Sequence, residues 1–188
     1  MVKTEHKLET EQQLLDAIKS GEREALRRLY ERFAGYAIAV GQRYVRDADE
    51  VRDVVQDSFV KILTSVRRFN YHGEGSLKAW VGSIVAHQAL DNVKAHEHLT
   101  LTNHIPEATP DEDEPDVGRI PPGVLNRLIS QLPAGYRMVL NLYVFEQRSH
   151  KEIAQLLDIK PETSASHYLR AKQALAKRIN EYLNKEQL

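Results

Sequence analysis

Carboxylates and imidazoles are the first side chains in this 188-residue sequence that could do chemistry. Asp53 and Asp57 stand one helical turn apart, and His96, His98 and His104 lie close together further along the chain. Such side chains hold metal ions, so the set allows a metal-dependent hydrolytic enzyme. Two carboxylates one turn apart are nevertheless common on ordinary helices, and neither a phosphate-binding glycine loop nor a Ser/His/Asp arrangement of known type accompanies them. The sequence favours a protein without catalytic residues, metal or cofactor.

A second candidate site joins cations to aromatic rings. It contains Arg67, Arg68, Phe69, Asn70, Tyr71 and His72. Binding of single-stranded DNA needs cations for the phosphates and rings that stack on unpaired bases. Gly73 and Gly75 follow, and they free the backbone to close around a base. The alternative is a surface turn in which Phe69 and Tyr71 pack inward, and these residues fit both interpretations.

A third candidate site lies in the stretch EIAQLLDIKPETSASHYLRAK, where two short helical patterns meet at Pro161. Ser149 and Glu152 form a capping box that begins the first helix. Pro161 suits the first position of the second helix, because it has no N–H to leave without a partner. Asp158 stands in the tight turn where glycine is more common. The pattern predicts a helix-turn-helix, with a plain αα-hairpin as the alternative.

The second helix of this pair should have an inner and an outer face. The inner face is predicted to carry Ser164, Tyr168, Ala171 and Leu175. The outer face is predicted to carry Glu162, Ala165, Ser166, Leu169, Arg170 and Lys172. A helix of this polarity fits the major groove of DNA, where Arg and small polar groups reach base edges. We expect phosphate contacts from Arg148, Lys151 and Lys172, and base contacts from Ser166, His167 and Arg170.

The elements that position these sites are predicted to be helices throughout. Apolar residues recur at spacings of three and four, and no stretch alternates with period two for long. In the first lobe we predict four helices: one capped by Thr10 and Gln13, one with Tyr30 on its inner stripe, one from about residue 48 to 66, and one capped by Ser76 with Trp80 in the core. In the second lobe we predict a short helix, a helix over about 134–145 that buries Tyr143, and the helix-turn-helix.

An acidic segment separates the two helical regions. Residues 96–121 contain one base against seven acids, whereas residues 122–188 carry 10 Lys/Arg against 6 Asp/Glu. The acids repel one another and the segment lacks helical periodicity, which is typical of a flexible linker. We therefore predict an all-α protein of two small helical domains. A four-helix lobe at residues 10–95 is joined by the linker at 96–121 to a second four-helix lobe, with the helix-turn-helix, at 122–185.

Composition points to a cytoplasmic protein. No apolar run approaches the roughly 20 residues of a membrane helix. The polar start MVKTEHKLETEQQ is unlike a secretory signal. The chain has no cysteine, so disulfides and thiolate metal sites are excluded.

Three segments, taken in order, resemble the extracytoplasmic-function branch of bacterial sigma factors in the sigma-70 family. They are DEVRDVVQDSFVKIL at 49–63, GSLKAWVGSIVAHQALDNVK at 75–94, and LPAGYRMVLNLYVFEQRSHKEIAQLLDI at 132–159. The resemblance extends from about Leu14 to Leu183. It implies a transcription initiation factor whose first lobe docks on core RNA polymerase and opens the minus-ten promoter element. The second lobe would bind the minus-thirty-five element as duplex DNA.

The resemblance also assigns roles to residues. The polymerase clamp would meet Asp53, Gln56, Asp57, Val60 and Lys61. The minus-ten element would meet Arg67, Arg68, Asn70, Tyr71, His72, Lys78, His87 and Lys94, with one flipped base held by the loop. The minus-thirty-five element would meet Arg148, Lys151, Glu162, Ser166, His167, Arg170 and Lys172. An exposed Val beside polar acceptors suits a protein interface, although an ordinary solvated helix with one stray Val remains the alternative.

Two other functions are compatible with the same residues. One is a conventional dimeric helix-turn-helix regulator, which would bind duplex DNA without polymerase. The other is an adaptor that binds another protein and no DNA. The family commonly has an anti-sigma factor, so such a partner is expected here. The linker is either a solvated tether or, as the family suggests, a nucleic-acid mimic inside polymerase channels.

Overall fold

The computed structural model describes residues 9–96 and 117–185, and within these ranges every regular element is a helix. The first lobe contains α1 (Glu11–Ser20), α2 (Ala25–Tyr44), α3 (Ala48–Ser65) and α4 (Ser76–His96), with a 3-10 turn at Val66–Arg68. The second lobe contains α5 (Pro122–Ser130), α6 (Ala134–Val144), α7 (His150–Leu157) and α8 (Pro161–Lys185), after a 3-10 turn at Val117–Arg119. The predicted all-α fold of two four-helix lobes is confirmed.

Local signals start and end the helices of the first lobe. The capping box of Thr10 and Gln13 begins α1, as predicted, and Gly21 ends it in a left-handed conformation with φ 87°. Asp47 caps α3, because its carboxylate accepts from the N–H groups of Asp49 and Glu50. Each such cap stabilises a helix by about 1 kcal/mol. The caps therefore fix where the helices begin before any tertiary packing is considered.

Two aromatic residues lie further out than their helical stripes predicted. Tyr30 on α2 is 48% exposed, with its ring tilted against that of Phe59 of α3 at a centroid distance of 4.7 Å. Tyr143 on α6 is 37% exposed. Both predictions of burial were wrong, because a stripe faces the core only along the part of a helix that a neighbour covers. Trp80 is half-buried and packs on Phe69 at 5.0 Å, as expected of a core residue rather than a stacking platform.

The two lobes pack against each other, which the sequence did not indicate. Helix α2 contacts α5 and α6, and one hydrophobic cluster runs from the first lobe into Met138 and Val139 of α6. Asn141 of α6 is fully buried, and its amide donates to the carbonyl of Arg43 at the end of α2 at 2.9 Å. In the opposite direction, Arg46 donates to carbonyls at the end of α5. Each lobe thus caps a helix C-terminus of the other.

The end of the predicted linker belongs to the folded second lobe. Residues 97–116 lie outside the described residues, but Ile120 is only 7% exposed and follows the 3-10 turn directly. Of the helices in the described ranges, none has the length and apolar content to cross a membrane.

Candidate nucleic-acid interface

The outer face of α3 brings together all five residues predicted to meet the polymerase. They are Asp53, Gln56, Asp57, Val60 and Lys61, and each is exposed. Val60 is 64% exposed, the highest value among the large apolar residues that stand out at the described surface. Gln88 of α4 reaches across, accepting from the Lys61 ammonium and donating to the Asp57 carboxylate at 3.4 Å. The face is therefore polar at its edges and apolar at Val60.

The segment that joins α3 to α4 divides its residues between packing and exposure. Arg67 and Arg68 occupy the exposed 3-10 turn, and Asn70 and His72 are exposed beyond it. Tyr71 is half-buried, and its hydroxyl donates to the Glu74 carboxylate at 3.3 Å. Phe69 packs on Trp80, as the surface-turn alternative expected. The exposed cations, the amide and part of one ring remain available to a nucleic acid.

The backbone that follows Tyr71 needs glycine at two positions. Gly73 has φ 112° and Gly75 has φ 91°, in a region that other residues rarely adopt. Ser76 does not cap α4 as predicted, because it is itself the first helical residue. Its hydroxyl instead donates to the Gly73 carbonyl at 2.6 Å. The carboxylate of Glu11 accepts hydrogen bonds from the N–H groups of Leu77 and Lys78 at the helix start.

The outer face of α4 is shared between solvent and the second lobe. Lys78 is exposed, with its ammonium 4.8 Å from the centre of the Tyr36 ring. His87 lines a crevice between the lobes together with Glu146 and Arg148. Lys94 donates to the carbonyl of Leu156 at 2.6 Å, at the end of α7. Two of the three predicted minus-ten residues of α4 therefore lie against the second lobe in this conformation.

Burial affects the acid in that crevice. Desolvation raises the pKa of Glu146 above its ordinary value of 4.5, although the nearby side chains of Arg43, His87 and Arg148 act in the opposite direction. Burial likewise lowers the pKa of Arg43, whose guanidinium lies 4.0 Å from the centre of the Phe145 ring. The polar contacts between the lobes therefore form in a partly dehydrated environment.

The helix-turn-helix forms as predicted. Ser149 and Glu152 make the reciprocal capping box at the start of α7, and the bonds from Ser149 hold the pKa of Glu152 below its ordinary value. Asp158 ends α7 in the left-handed region with φ 54°, the position where glycine is common. Pro161 begins α8.

Aromatic contacts fix the angle between the helices of this unit. Tyr143 of α6 stacks on His150 of α7 at 4.6 Å, and its ring packs at a tilt against Tyr168 of α8 at 4.4 Å. His150 also shares a hydrogen bond of 3.0 Å with the hydroxyl of Ser164 on α8. Helix α8 is therefore held by side chains from both helices that precede it.

The outer face of α8 carries most of the predicted minus-thirty-five residues. Glu162 and Lys172 are exposed, Ser166 and Arg170 are half-buried, and Arg170 donates to the Tyr136 hydroxyl at 3.4 Å. On the preceding turn and helix, Lys151 is exposed and Arg148 is half-buried.

His167 departs from the prediction. It is only 2% exposed, and its ring meets Tyr136 edge-on at 5.1 Å, so it does not face a DNA groove. The spacing already carried this signal, since residue 167 lies three positions after Ser164 and four before Ala171, on the inner stripe.

The alternative metal site finds no support within residues 9–96 and 117–185, where no group of three or more His, Asp or Glu is placed to hold an ion. His96 is exposed at the end of α4. His98 and His104 lie outside the described residues.

Comparisons with known proteins agree with this arrangement. The family described as "Sigma-70 region 2" matches residues 29–98, and the family described as "Sigma-70, region 4" matches residues 123–175. The RNA polymerase sigma-H factor of Pseudomonas aeruginosa is 24% identical over 188 residues, covering 93% of this chain and 96% of its own. The ECF RNA polymerase sigma-E factor of Haemophilus influenzae is 24% identical over 184 residues, covering 90% and 95%. The chain belongs to the extracytoplasmic-function branch of the sigma-70 family.

This sigma factor directs RNA polymerase to promoters, and sigma factors are non-catalytic initiation factors. The region 2 match falls on residues 29–98, which include α3 and α4, and the region 4 match falls on residues 123–175, which include α6 and α7. Among solved structures it is similar to CnrH in complex with the cytosolic domain of CnrY, at a TM-score of 0.47 and 20% identity, covering 89% of this chain and 96% of that one.

Proposed function

We propose that this sigma factor uses the outer face of α3 to bind the polymerase clamp. The observation behind this role is the exposed Val60, with Gln56 and Asp57 one turn away on the same helix. Protein interfaces combine an apolar centre with a polar rim, and this face has that composition. Gln88 braces Asp57 and Lys61 from α4, so the polar rim is already ordered before binding.

The minus-ten element would be bound at the segment 67–72 and at Lys78. Arg67 and Arg68 are free to meet phosphates, and Asn70 offers both a donor and an acceptor to a base. Tyr71 would stack on the flipped base with the exposed part of its ring. Stacking contributes about 1–3 kcal/mol per base and flipping costs a few kcal/mol, so this loop acts once melting has begun.

The minus-thirty-five element would be bound by α7 and the outer face of α8. Lys151 and Lys172 would hold phosphates, with Arg148 beside them at the start of α7. Ser166 and Arg170 would read base edges, with Glu162 at the start of the helix. His167 is left out of this proposal because its ring packs on Tyr136.

Binding both elements would require the lobes to separate. Elements nominally 25 base pairs apart lie roughly 85 Å apart on B-DNA, at about 3.4 Å per base pair. A compact chain of this length has a radius of gyration of roughly 16 Å, hence a diameter of about 40 Å. The closed arrangement of the lobes thus cannot span a promoter. Core polymerase would select the open form, and the segment between the lobes would act as the tether.

The same surfaces would serve regulation in the cytoplasm. An anti-sigma factor that covers the α3 face together with α8 would block polymerase and promoter at once. This partner is proposed from the family resemblance and from the exposure of both surfaces.

Promoter opening tests the proposal. Replacing residues 70–75 with a Gly/Ser loop should leave core polymerase binding and the closed complex intact, while permanganate reactivity of unpaired thymines is lost. A matched control replaces residues 21–24, the other glycine-containing connection of the first lobe, and should open the promoter normally. A cognate bubble opened in advance should restore only part of the activity of the 70–75 variant. Normal opening of a duplex promoter by that variant would refute the role of the loop.

Gel shifts with and without core polymerase test the remaining alternatives. This sigma factor should bind promoter duplex specifically only with polymerase. Specific binding of the free protein as a dimer would instead support a conventional helix-turn-helix regulator.

A further inference from the structure

The loop at residues 70–75 is held by a carboxylate from a distant helix. Glu11, the first residue of α1, is only 2% exposed. Its Oε2 accepts from the N–H groups of Gly75 and Leu77, both at 2.9 Å. Its Oε1 accepts from the N–H of Lys78 at 3.1 Å. One side chain of α1 therefore holds the last residue of the loop and the first turn of α4.

Glu74 makes the connection in the opposite direction. Its carboxylate accepts from the N–H of Glu11, the nearer oxygen at 3.2 Å. It also accepts from the Arg32 guanidinium at 3.3 Å and from the Tyr71 hydroxyl at 3.3 Å. The start of α1 thus donates to the carboxylate of Glu74, and the start of α4 donates to the carboxylate of Glu11. Tyr71, whose ring is proposed to stack on a base, joins this pair through its hydroxyl.

These reciprocal hydrogen bonds select one conformation of the loop at residues 70–75, whose glycines would otherwise allow many. Glycine adopts many conformations at little cost, and Gly73 and Gly75 lie on either side of Glu74. The first N–H groups of a helix have no partners within that helix, and a buried carboxylate is costly unless it is hydrogen-bonded. Both requirements are met together only when Gly75, Leu77 and Lys78 lie where Glu11 can reach all three.

We infer that Glu11 is a positioning residue for base selection at the minus-ten element. It touches no DNA in this scheme. It fixes the loop so that Asn70 and Tyr71 present one arrangement to the flipped base. The inference rests on the proposed role of the loop in reading that base.

The substitution Glu11→Gln tests the inference with little change in size. The amide keeps one acceptor oxygen and replaces the other with a donor, which then faces a backbone N–H. At least one of the three bonds by which Glu11 holds the end of the loop and the first turn of α4 is lost, while the rest of α1 is unchanged. Glu11→Asp is the second variant. It keeps the charge but is one methylene shorter, so it cannot reach all three N–H groups.

Base discrimination is the readout that separates positioning from stability. The rate of open-complex formation is measured with all four bases at each position of the minus-ten element. Glu11→Gln should lower the preference for the favoured base at one position by roughly tenfold, the scale of a single base contact. Preferences at the other positions should stay as in the wild type. The matched control is Ile62→Val in the core of α3, which should lower the melting temperature without changing any preference.

The variants separate a positioning role of Glu11 from a purely structural role. Loss of discrimination at the same position in Glu11→Gln and in the Gly/Ser loop variant supports the inference; the loop variant is measured on bubbles opened in advance, because it should not open duplex DNA. A uniform loss of rate with unchanged preferences, as in Ile62→Val, overturns it and leaves Glu11 a purely structural cap. If the loop variant itself keeps every preference, the loop does not read DNA, and the proposed function fails first. If Glu11→Gln does not fold, Glu11→Asp is judged by the same comparison.

Discussion

Opening of the two lobes can be tested at Arg46, which lies between α2 and α3 and reaches the second lobe. Its Nε donates to the Ser130 carbonyl at 2.8 Å, and its Nη2 donates to the Leu132 carbonyl at 2.9 Å and, less closely, to that of Gln131 at 3.3 Å. The substitution Arg46→Ala removes these bonds and leaves both helical lobes otherwise unchanged.

The free energy lost in Arg46→Ala depends on which hydrogen bonds the carbonyls at the end of α5 keep. Arg137 also donates to the carbonyls of Ser130 and Leu132, at 2.8 and 3.0 Å, so neither carbonyl is left without a partner. The loss is then two good hydrogen bonds at about 0.5–1.5 kcal/mol each. Because Arg46 is exposed, the lower half of that range applies, which gives about 1–2 kcal/mol in total. The ratio of open to closed molecules should rise roughly 5- to 30-fold.

Distance measurements between the lobes can detect this shift. The chain has no cysteine, so spin labels can be attached to Glu31→Cys on α2 and Glu181→Cys on α8, both at exposed positions. The free wild type should give one short distance, and Arg46→Ala should add a longer one. Apparent affinity for core polymerase should rise by up to the same factor, because affinity scales with the fraction of the competent form.

The matched control is Arg52→Ala. Arg52 is an exposed arginine whose ion pair is with Asp49 on the same helix, so its loss should change neither distance nor affinity. The reasoning is refuted if the free wild type already shows the long distance. It is also refuted if Arg46→Ala leaves both the distance and the affinity at wild-type values.

Three further predictions concern other surfaces. Gln56→Ala with Asp57→Ala should weaken core polymerase binding with a nearly unchanged melting midpoint, since exposed polar changes alter stability by only about 0.5 kcal/mol; full affinity would contradict the α3 interface. Arg170→Ala should relax specificity at the minus-thirty-five element by roughly 1–3 kcal/mol, whereas Lys151→Ala should weaken all duplexes alike and flatten the salt dependence; equal effects on every sequence would exclude Arg170 as a base reader. Burial raises the pKa of Glu146, so the closed form binds the proton of this carboxyl more tightly than the open form, and protonation should favour closure increasingly as pH falls toward 4.5. In Arg46→Ala, where both distances are populated, the share of the short distance should rise as pH falls, and adding Glu146→Gln should remove this dependence.

Features encoded within a few neighbouring residues were predictable from the sequence. Thr10 with Gln13 and Ser149 with Glu152 are separated by three residues, and each pair forms its capping box as expected. Pro161 likewise begins α8. Such signals depend on backbone groups within one helical turn, so no knowledge of distant neighbours is needed.

Whether a side chain is buried or exposed could be decided only by knowing which neighbouring helix packs over it. Periodicity identified the apolar stripes, but Tyr30 and Tyr143 lie at edges that no neighbour fully covers. The opposite holds for His167, which Tyr136 covers. Its position on the inner stripe was readable from the sequence, yet its chemistry suggested DNA. Polarity alone is therefore a weaker guide to exposure than position on the helix.

The sequence by itself determined the helical fold, the order of the two lobes, the helix-turn-helix and the residues that lie on the outer face of α3. Only the tertiary structure decided that Glu11 caps α4 across more than sixty residues of chain, and that Arg46 and Asn141 join the lobes. A capping box is specified by residues one turn apart. By contrast, a carboxylate or amide side chain that finds its partners on another helix is specified by the packing of both helices, and no local pattern records it.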